Sequence, residues 1–508
     1  MAVDSTQITK VAILMGLLVL ALLISVSMVT DPAGGLAALT PFITITLSLI
    51  ALIKPKAGLF ALVPLVIWVD EYKRLAVYFG GAYSFTVMQT LAMPFVVLAA
   101  LNAGYLLNGL FGRIKLEGLS LLFFLIALIA GVGVFFTMDG TWMEKGQRAA
   151  NIAGYITLVP IAYSYLKTFD DWRKFFALQV IFALPAAAWA LKQYYIGFDQ
   201  IEWVYAKSGL SRVHYAQMLL MENPRVFGFF GSASALGCAS IYCSFAWWHA
   251  LRYKKARFFW IFAGSLLMWT LVVSTQRTAL IYPVFVLIAT FAFRTRARTL
   301  LLYGTALSLF VLAVAKSDYI LAKGLDDVNN AIASDSEWGD QVLKVSTFSD
   351  RIRGWQRLKR ADTYSLFGTG EGPTSNLAKY DVSADTYNHD VINKILITVG
   401  VVGFLAILIP GGMILVYLHR AAFRATDRQT RNDAAFALAL ALPMVGLSFI
   451  GGDNFNANPI NIQIWTSFAG VMICRKLIRR GSGNLIASQP RNVAPVRVAS
   501  PQSTGITA

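Results

Sequence analysis

His389 and Asp390 stand in "TYNHDVINKILITVGVVGFL", directly before an apolar run that continues to about residue 417. A histidine, whose ordinary pKa lies nearest neutrality, is thereby held where the chain leaves water for lipid. From there it could take a proton from a hydroxyl. Arg277 lies in "STQRTAL", at the bottom of a very short turn between two apolar runs. An arginine that close to hydrocarbon is costly unless paired, which makes it a candidate functional group. Arg351 and Arg353 lie in "RIRGWQRLKR", with Trp355 four residues after the first. In that arrangement a guanidinium reaches an anion at the interface while the indole anchors at headgroup level. Arg225, in "PRVFGFFG", precedes a further apolar run. Planar guanidinium forks match phosphate oxygens bidentately, so these residue types suit phosphate recognition beside acid–base chemistry. The plain alternative is an interfacial anchor for Arg277, Arg225 and His389, the common role of Lys and Arg at helix ends, and a solvated charged face for Arg351.

The protonation of His389 depends on its neighbours in the chain. At the cap or first turn of a helix starting near residue 391, exposed N–H groups and the positive dipole end disfavour the imidazolium. That favours a neutral base, and the same helix start attracts an anionic phosphate. Asp390 pulls the other way by stabilising imidazolium, and it can orient the ring.

These residues need a scaffold, and composition says which kind. The 508 residues are 57% hydrophobic and only 14% charged, with a mean hydropathy of +0.60. One water-soluble core could not bury that much apolar surface, so the chain reads as an all-α polytopic membrane protein. With roughly 20 apolar residues needed per crossing, about fourteen spans are predicted. They lie near residues 11–30, 33–53, 57–70, 85–108, 117–137, 149–166, 174–193, 227–251, 258–274, 277–293, 299–315, 391–418, 432–451 and 456–474. Lys and Arg gather in alternate loops, among them "RYKKAR", "RTRAR", Arg420 to Arg431 and "RKLIRR". By the positive-inside rule those loops and both termini are cytoplasmic. The net charge of +17 is thus mostly an orientation signal. A nucleic-acid partner would need the basic residues gathered on one soluble face, and none is expected.

The spans set the organisation of the chain. Residues 1–315 form N-terminal transmembrane helices with a smaller loop at 194–226, and residues 316–390 a large loop on the opposite side from the basic loops. Residues 391–474 return to the membrane, and 475–508 form a cytoplasmic tail, Pro/Ser-rich from Gly481 and expected to be disordered. The first run comes after a lone Lys10 without a small-residue cleavage site and reads as a retained helix. In the large loop Ile352, Trp355 and Leu358 recur at helical spacing, predicting an amphipathic helix over 350–361 that lies along the bilayer surface. Cys238, Cys243 and Cys474 fall in or at the ends of spans without metal-type pairing and read as packing residues. His249 and His419 sit at basic helix ends and His214 in the smaller loop; each reads as an ordinary interfacial or core histidine. The glycines of "LFGTGEGP" lack a subsequent Lys-Ser/Thr helix and the strand–helix setting of a nucleotide loop, and read as a turn. No His, Glu or Cys cluster has metal-ligand spacing, so no metal or cofactor is expected.

Taken in order, "PRVFGFFGSASALG", "STQRTAL", "RIRGW", "LFGTGEG" and "NHD", with Gly400 eleven residues after His389, resemble the O-antigen ligases and Wzy-type polysaccharide polymerases over roughly residues 220–475. Ser234 stands where that family carries Asn, and Asp390 where it commonly reads Asn after the histidine. The resemblance implies a metal-independent, inverting membrane glycosyltransferase of the bacterial inner membrane. Its donor would be an undecaprenyl-diphosphate-linked glycan, and its site would face the periplasm. The acceptor would be a lipid A–core sugar for a ligase or another carrier-linked glycan for a polymerase; the bilayer and other polysaccharide-assembly proteins would be its surroundings. His389 aligns as the base and Arg277 and Arg351 as diphosphate ligands, with Arg225, Arg353, Trp355 and Asp390 in support. The competing class is a transporter or flippase, which would bury ionisable groups near midspan. Here the centres of the spans are nearly free of them and the arginines and histidine collect at one face.

Overall fold

A computed structural model describes residues 29–137, 142–210, 218, 225–230, 235–274, 277–317, 356, 358–359, 365–367, 391–424, 427–451 and 459–487. Every regular element among them is helical. In chain order these are α1 Pro32–Ile53, α2 Pro55–Gly80, α3 Phe85–Leu110, α4 Gly118–Thr137, α5 Trp142–Ile156, α6 Leu158–Tyr165, α7 Phe169–Tyr195 and α8 Gln200–Lys207. A short 3-10 turn at Ala235–Gly237 leads into α9 Cys238–Arg252, and then come α10 Arg257–Val273, α11 Arg277–Ala292 and α12 Arg296–Ala315. The last four are α13 Val391–Phe423, α14 Arg428–Ala439, α15 Leu442–Gly451 and α16 Ile460–Ala487.

Local chemistry fixes several boundaries. Thr168 and Asp171 form a reciprocal capping box at the start of α7, and Asp199 and Glu202 do the same for α8. Small residues bring helices close: a Cβ at Gly104 of α3 would lie 2.6 Å from the Leu52 carbonyl oxygen of α1. Aromatic side chains fill the interior near the start of α7. Trp172 is fully buried, stacks on Phe169 and donates its indole N–H to the Thr466 carbonyl of α16 at 2.9 Å.

Among the described residues, five helices are long and apolar enough to cross a membrane: Pro32–Ile53, Phe85–Leu110, Phe169–Tyr195, Arg296–Ala315 and Gly400–Arg420. In the last two the most apolar stretch is almost wholly on the outside of the bundle, with Leu301 at 72% and Met413 at 66% exposure. Apolar faces of that extent belong against lipid, and the architecture is that of an α-helical membrane protein.

Several expected spans take a different form. The run at 149–166 divides at Thr157 into α5 and α6, and that at 432–451 divides into α14 and α15. The span expected over 227–251 begins only at Cys238, because 225–230 is not helical. The run at 57–70 is extended: α2 continues to Gly80 through a charged stretch whose ions pair along the helix, Lys73 with Asp70 (2.6 Å) and Arg74 with Glu71 (2.7 Å). The final helix runs to Ala487, past the expected end of the last span and into the predicted tail. Except for Val29 and Thr30, the run at 11–30 lies outside the described residues, as does most of 316–390.

Contacts between helix ends sort the bundle into two poles. Lys56 pairs with Asp171 (3.0 Å), Arg173 donates to His249 (2.7 Å) and Arg252 approaches Asp433 (3.6 Å). Tyr303 meets His419 (3.0 Å), and Arg475 lies over the Tyr417 ring (3.7 Å). These contacts gather the Lys- and Arg-rich connections at one pole, the basic end. The opposite pole holds the ends of α2, α7 and α10 and the start of α11, joined by Arg74 to Gly228 (2.6 Å) and Trp269 to Tyr195 (3.1 Å).

Candidate functional site

At the pole opposite the basic end, residues 225–230 cross the bundle without forming a helix. Gly228 has φ 58°, a left-handed conformation, and its Cα faces the Ala186 carbonyl of α7 so closely that a Cβ would collide with it. Helical hydrogen bonding is lost there, and a buried backbone must find other partners. Side chains supply them. The Gln193 carbonyl oxygen accepts from the N–H groups of both Phe227 and Gly228, each at 2.9 Å. The Arg74 guanidinium donates to the carbonyls of Gly228 (2.6 Å) and Phe230 and lies over the Phe227 ring at 4.4 Å.

That cradle is itself braced. Glu202, on α8, accepts from the Gln193 amide (2.5 Å), the Trp189 indole (2.8 Å) and the Asp199 backbone (2.8 Å). Lys192 pairs with Asp199 (3.3 Å), and Lys73 lies 5.3 Å from the centre of the Tyr205 ring. Arg74 is fully buried and Glu202 and Gln193 nearly so. The acids and bases alternate closely enough to offset one another, so the charged bed holds backbone at little cost in net buried charge. Arg225, half-buried, begins the segment that this bed holds.

The two helix starts of interest are shaped by their connections. α10 ends at Val273 and α11 begins at Arg277, so the turn containing Arg277 is as short as the sequence predicts, and its backbone sits at a helix N-terminus. The first described residue of α13 is Val391, next in the chain to Asp390, which lies outside the described residues. The helix is not one continuous rod, however. Gly400 adopts φ 71° and ψ −174°, which breaks the helix nine residues in and frees the next N–H groups. Val401 then donates to the Ser365 carbonyl (3.2 Å) and Val402 to the Leu366 carbonyl (3.0 Å). Ser365 and Leu366 thereby cap the membrane-crossing half of α13. The Lys359 ammonium donates to the Ala315 carbonyl that ends α12 (3.3 Å). His419, late in α13, packs on Phe293, just past the end of α11. His419 lies at the basic end, so the membrane-crossing half of α13, Gly400–Arg420, carries Gly400 to the opposite pole, where α11 starts.

Of the predicted site residues, Arg225 and the backbone of Arg277 are described and share one pole; His389, Asp390, Arg351, Arg353 and Trp355 lie outside the described residues. The amphipathic helix expected over 350–361 lies outside them too, except for Gln356, Leu358 and Lys359. Arg74, Gln193 and Glu202 do not stand out as site residues in the sequence. Arg74 alone carries a signal there, as one of four charged residues closing an apolar run. The three cysteines are buried and unpaired, and His249 and His419 are packed at the basic end.

No family model matches this chain, and no match was found among curated proteins or solved structures.

Proposed function

We propose that this protein is a membrane glycosyltransferase of the O-antigen ligase or Wzy-type polymerase kind, moving a glycan from an undecaprenyl-diphosphate carrier to an acceptor hydroxyl. The observation that supports the reading is that three features share the pole away from the basic loops: the braced segment that starts at Arg225, the helix that starts at Arg277, and α13, which follows His389 and is broken at Gly400. Each adjoins a residue whose type suits diphosphate or hydroxyl chemistry. In this reading about fourteen spans cross the inner membrane, roughly 20 apolar residues each, with the basic end and both termini in the cytoplasm and the site facing the periplasm.

Arg277 and Arg351, assisted by Arg225 with Arg353 and Trp355 beside them, hold the carrier diphosphate. His389, oriented by Asp390, takes the proton of the acceptor hydroxyl. The hydroxyl oxygen bonds to the anomeric carbon from the face opposite the leaving group, so the configuration inverts. The bond from that carbon to the phosphate oxygen breaks, and its electron pair leaves on the diphosphate, where the guanidinium groups offset the charge. The acceptor is a lipid A–core sugar or a second carrier-linked glycan.

The test is transfer by the purified full-length chain in nanodiscs, using labelled undecaprenyl-diphosphate oligosaccharide with either acceptor, in EDTA. Covalent product that persists under chelation is expected. Activity restored only by Mg²⁺ would contradict the arginine account, and carrier movement across a vesicle membrane without a new glycosidic bond would assign the protein to transport.

A further inference from the structure

A second site lies at the opposite pole and is independent of the proposed reaction. A cavity opens at the basic end between the α3–α4 connection, α6, α13 and α16, lined by Lys115, Glu117, Tyr163, Tyr417, Met472 and Arg475. We propose that it binds the headgroup phosphate of an anionic glycerophospholipid in the leaflet at the basic end.

Three features lead there. Two cations, Lys115 and Arg475, border the cavity; Lys115 is exposed, and the Arg475 guanidinium is held in place over the Tyr417 ring at 3.7 Å. The acid in the lining is engaged by the protein: both carboxylate oxygens of Glu117 accept from the Tyr163 hydroxyl, at 3.0 and 2.9 Å. Two cations against that one carboxylate leave the lining with a net positive charge. The cavity also sits where α4 meets α13, two helices whose outward faces are apolar. Leu121, Leu125 and Leu128 are more than half exposed on α4, as are Ile409, Met413 and Val416 on α13. A soluble anion would use only the charges, whereas a phospholipid uses both the charges and the apolar seam that receives its acyl chains. A zwitterionic lipid would bring its own cation toward Lys115 and Arg475, so the charge pattern selects an anionic headgroup.

Native mass spectrometry of the full-length chain, released from detergent with phosphatidylglycerol or phosphatidylcholine, tests this. Phosphatidylglycerol should be retained over phosphatidylcholine. Lys115→Gln and Arg475→Gln should each lower that retention about fivefold, the effect of one cation near an anionic lipid. The control pair Lys254→Gln and Lys255→Gln, elsewhere at the basic end, should leave it unchanged. Because Lys115 is exposed, its substitution remains a fair test if Arg475→Gln disturbs packing. Equal retention of the two lipids, or full retention of phosphatidylglycerol by Lys115→Gln, would overturn the proposal. So would displacement by millimolar inorganic phosphate, which would mark a soluble-anion site.

Discussion

At the residue scale the molecule turns on a few side chains that stand in for missing helical bonds. Arg74 and Gln193 together supply partners to both N–H and C=O groups of 227–230, and no sequence pattern announces this. Arg74 and Gly228 are 154 positions apart, and "VFGFFG" is apolar throughout, so it reads as the start of a span. The candidate chemistry is more legible, because Arg277 and His389 are conspicuous where apolar runs begin. Removing Arg74 leaves Glu71 and two backbone carbonyls without their cation. Breaking a buried pair from one side costs about 3–5 kcal/mol. Arg74→Ala is therefore expected to lower the melting temperature in detergent by many degrees, with Arg74→Lys intermediate because a point ammonium lacks the fork. Fluorescence-detected size exclusion after heating measures it; an unchanged midpoint would show that the segment is held by other means.

At the element scale, apolar runs reveal that helices exist but not whether they are continuous. Hydropathy falls at Asp70 to Arg74 and suggests a helix end, yet i,i+3 ion pairs let α2 continue to Gly80. The converse occurs in α13, where an unbroken apolar run hides the interruption at Gly400. That φ/ψ pair belongs to a region open essentially only to glycine, and an L-residue there carries about 1–3 kcal/mol of strain. Gly400→Ala should either lower stability by that order or straighten α13, withdrawing Val401 and Val402 from the carbonyls of Ser365 and Leu366. Straightening separates Ser365 and Leu366 from the helix behind His389, and glycan transfer should then fall while expression persists. Cysteine crosslinking between positions 366 and 402 reports the separation. Lost crosslinking with wild-type transfer in Gly400→Ala would show that the break has no part in the site.

At the scale of the whole molecule, the sorting of basic connections to one pole is visible in the sequence as alternating loop charge, because Lys and Arg are enriched in the short loops that stay on the cytoplasmic side. Which backbone stretches leave the helical form is not visible, because that depends on pairings between distant segments. Reporter fusions test the orientation: one after Leu325 should read as periplasmic and one after Arg424 as cytoplasmic. The reverse pattern would move the proposed site to the wrong face for a periplasmic donor. The most direct test of the central claim is single-turnover glycan transfer by full-length His389→Ala in nanodiscs, beside carrier-lipid binding and immunoblotting of the same samples. Loss of the general base should slow transfer on the order of 10²–10⁴-fold while donor binding and protein level stay near wild type. Wild-type transfer by folded His389→Ala would contradict the account and leave that histidine as an interfacial anchor.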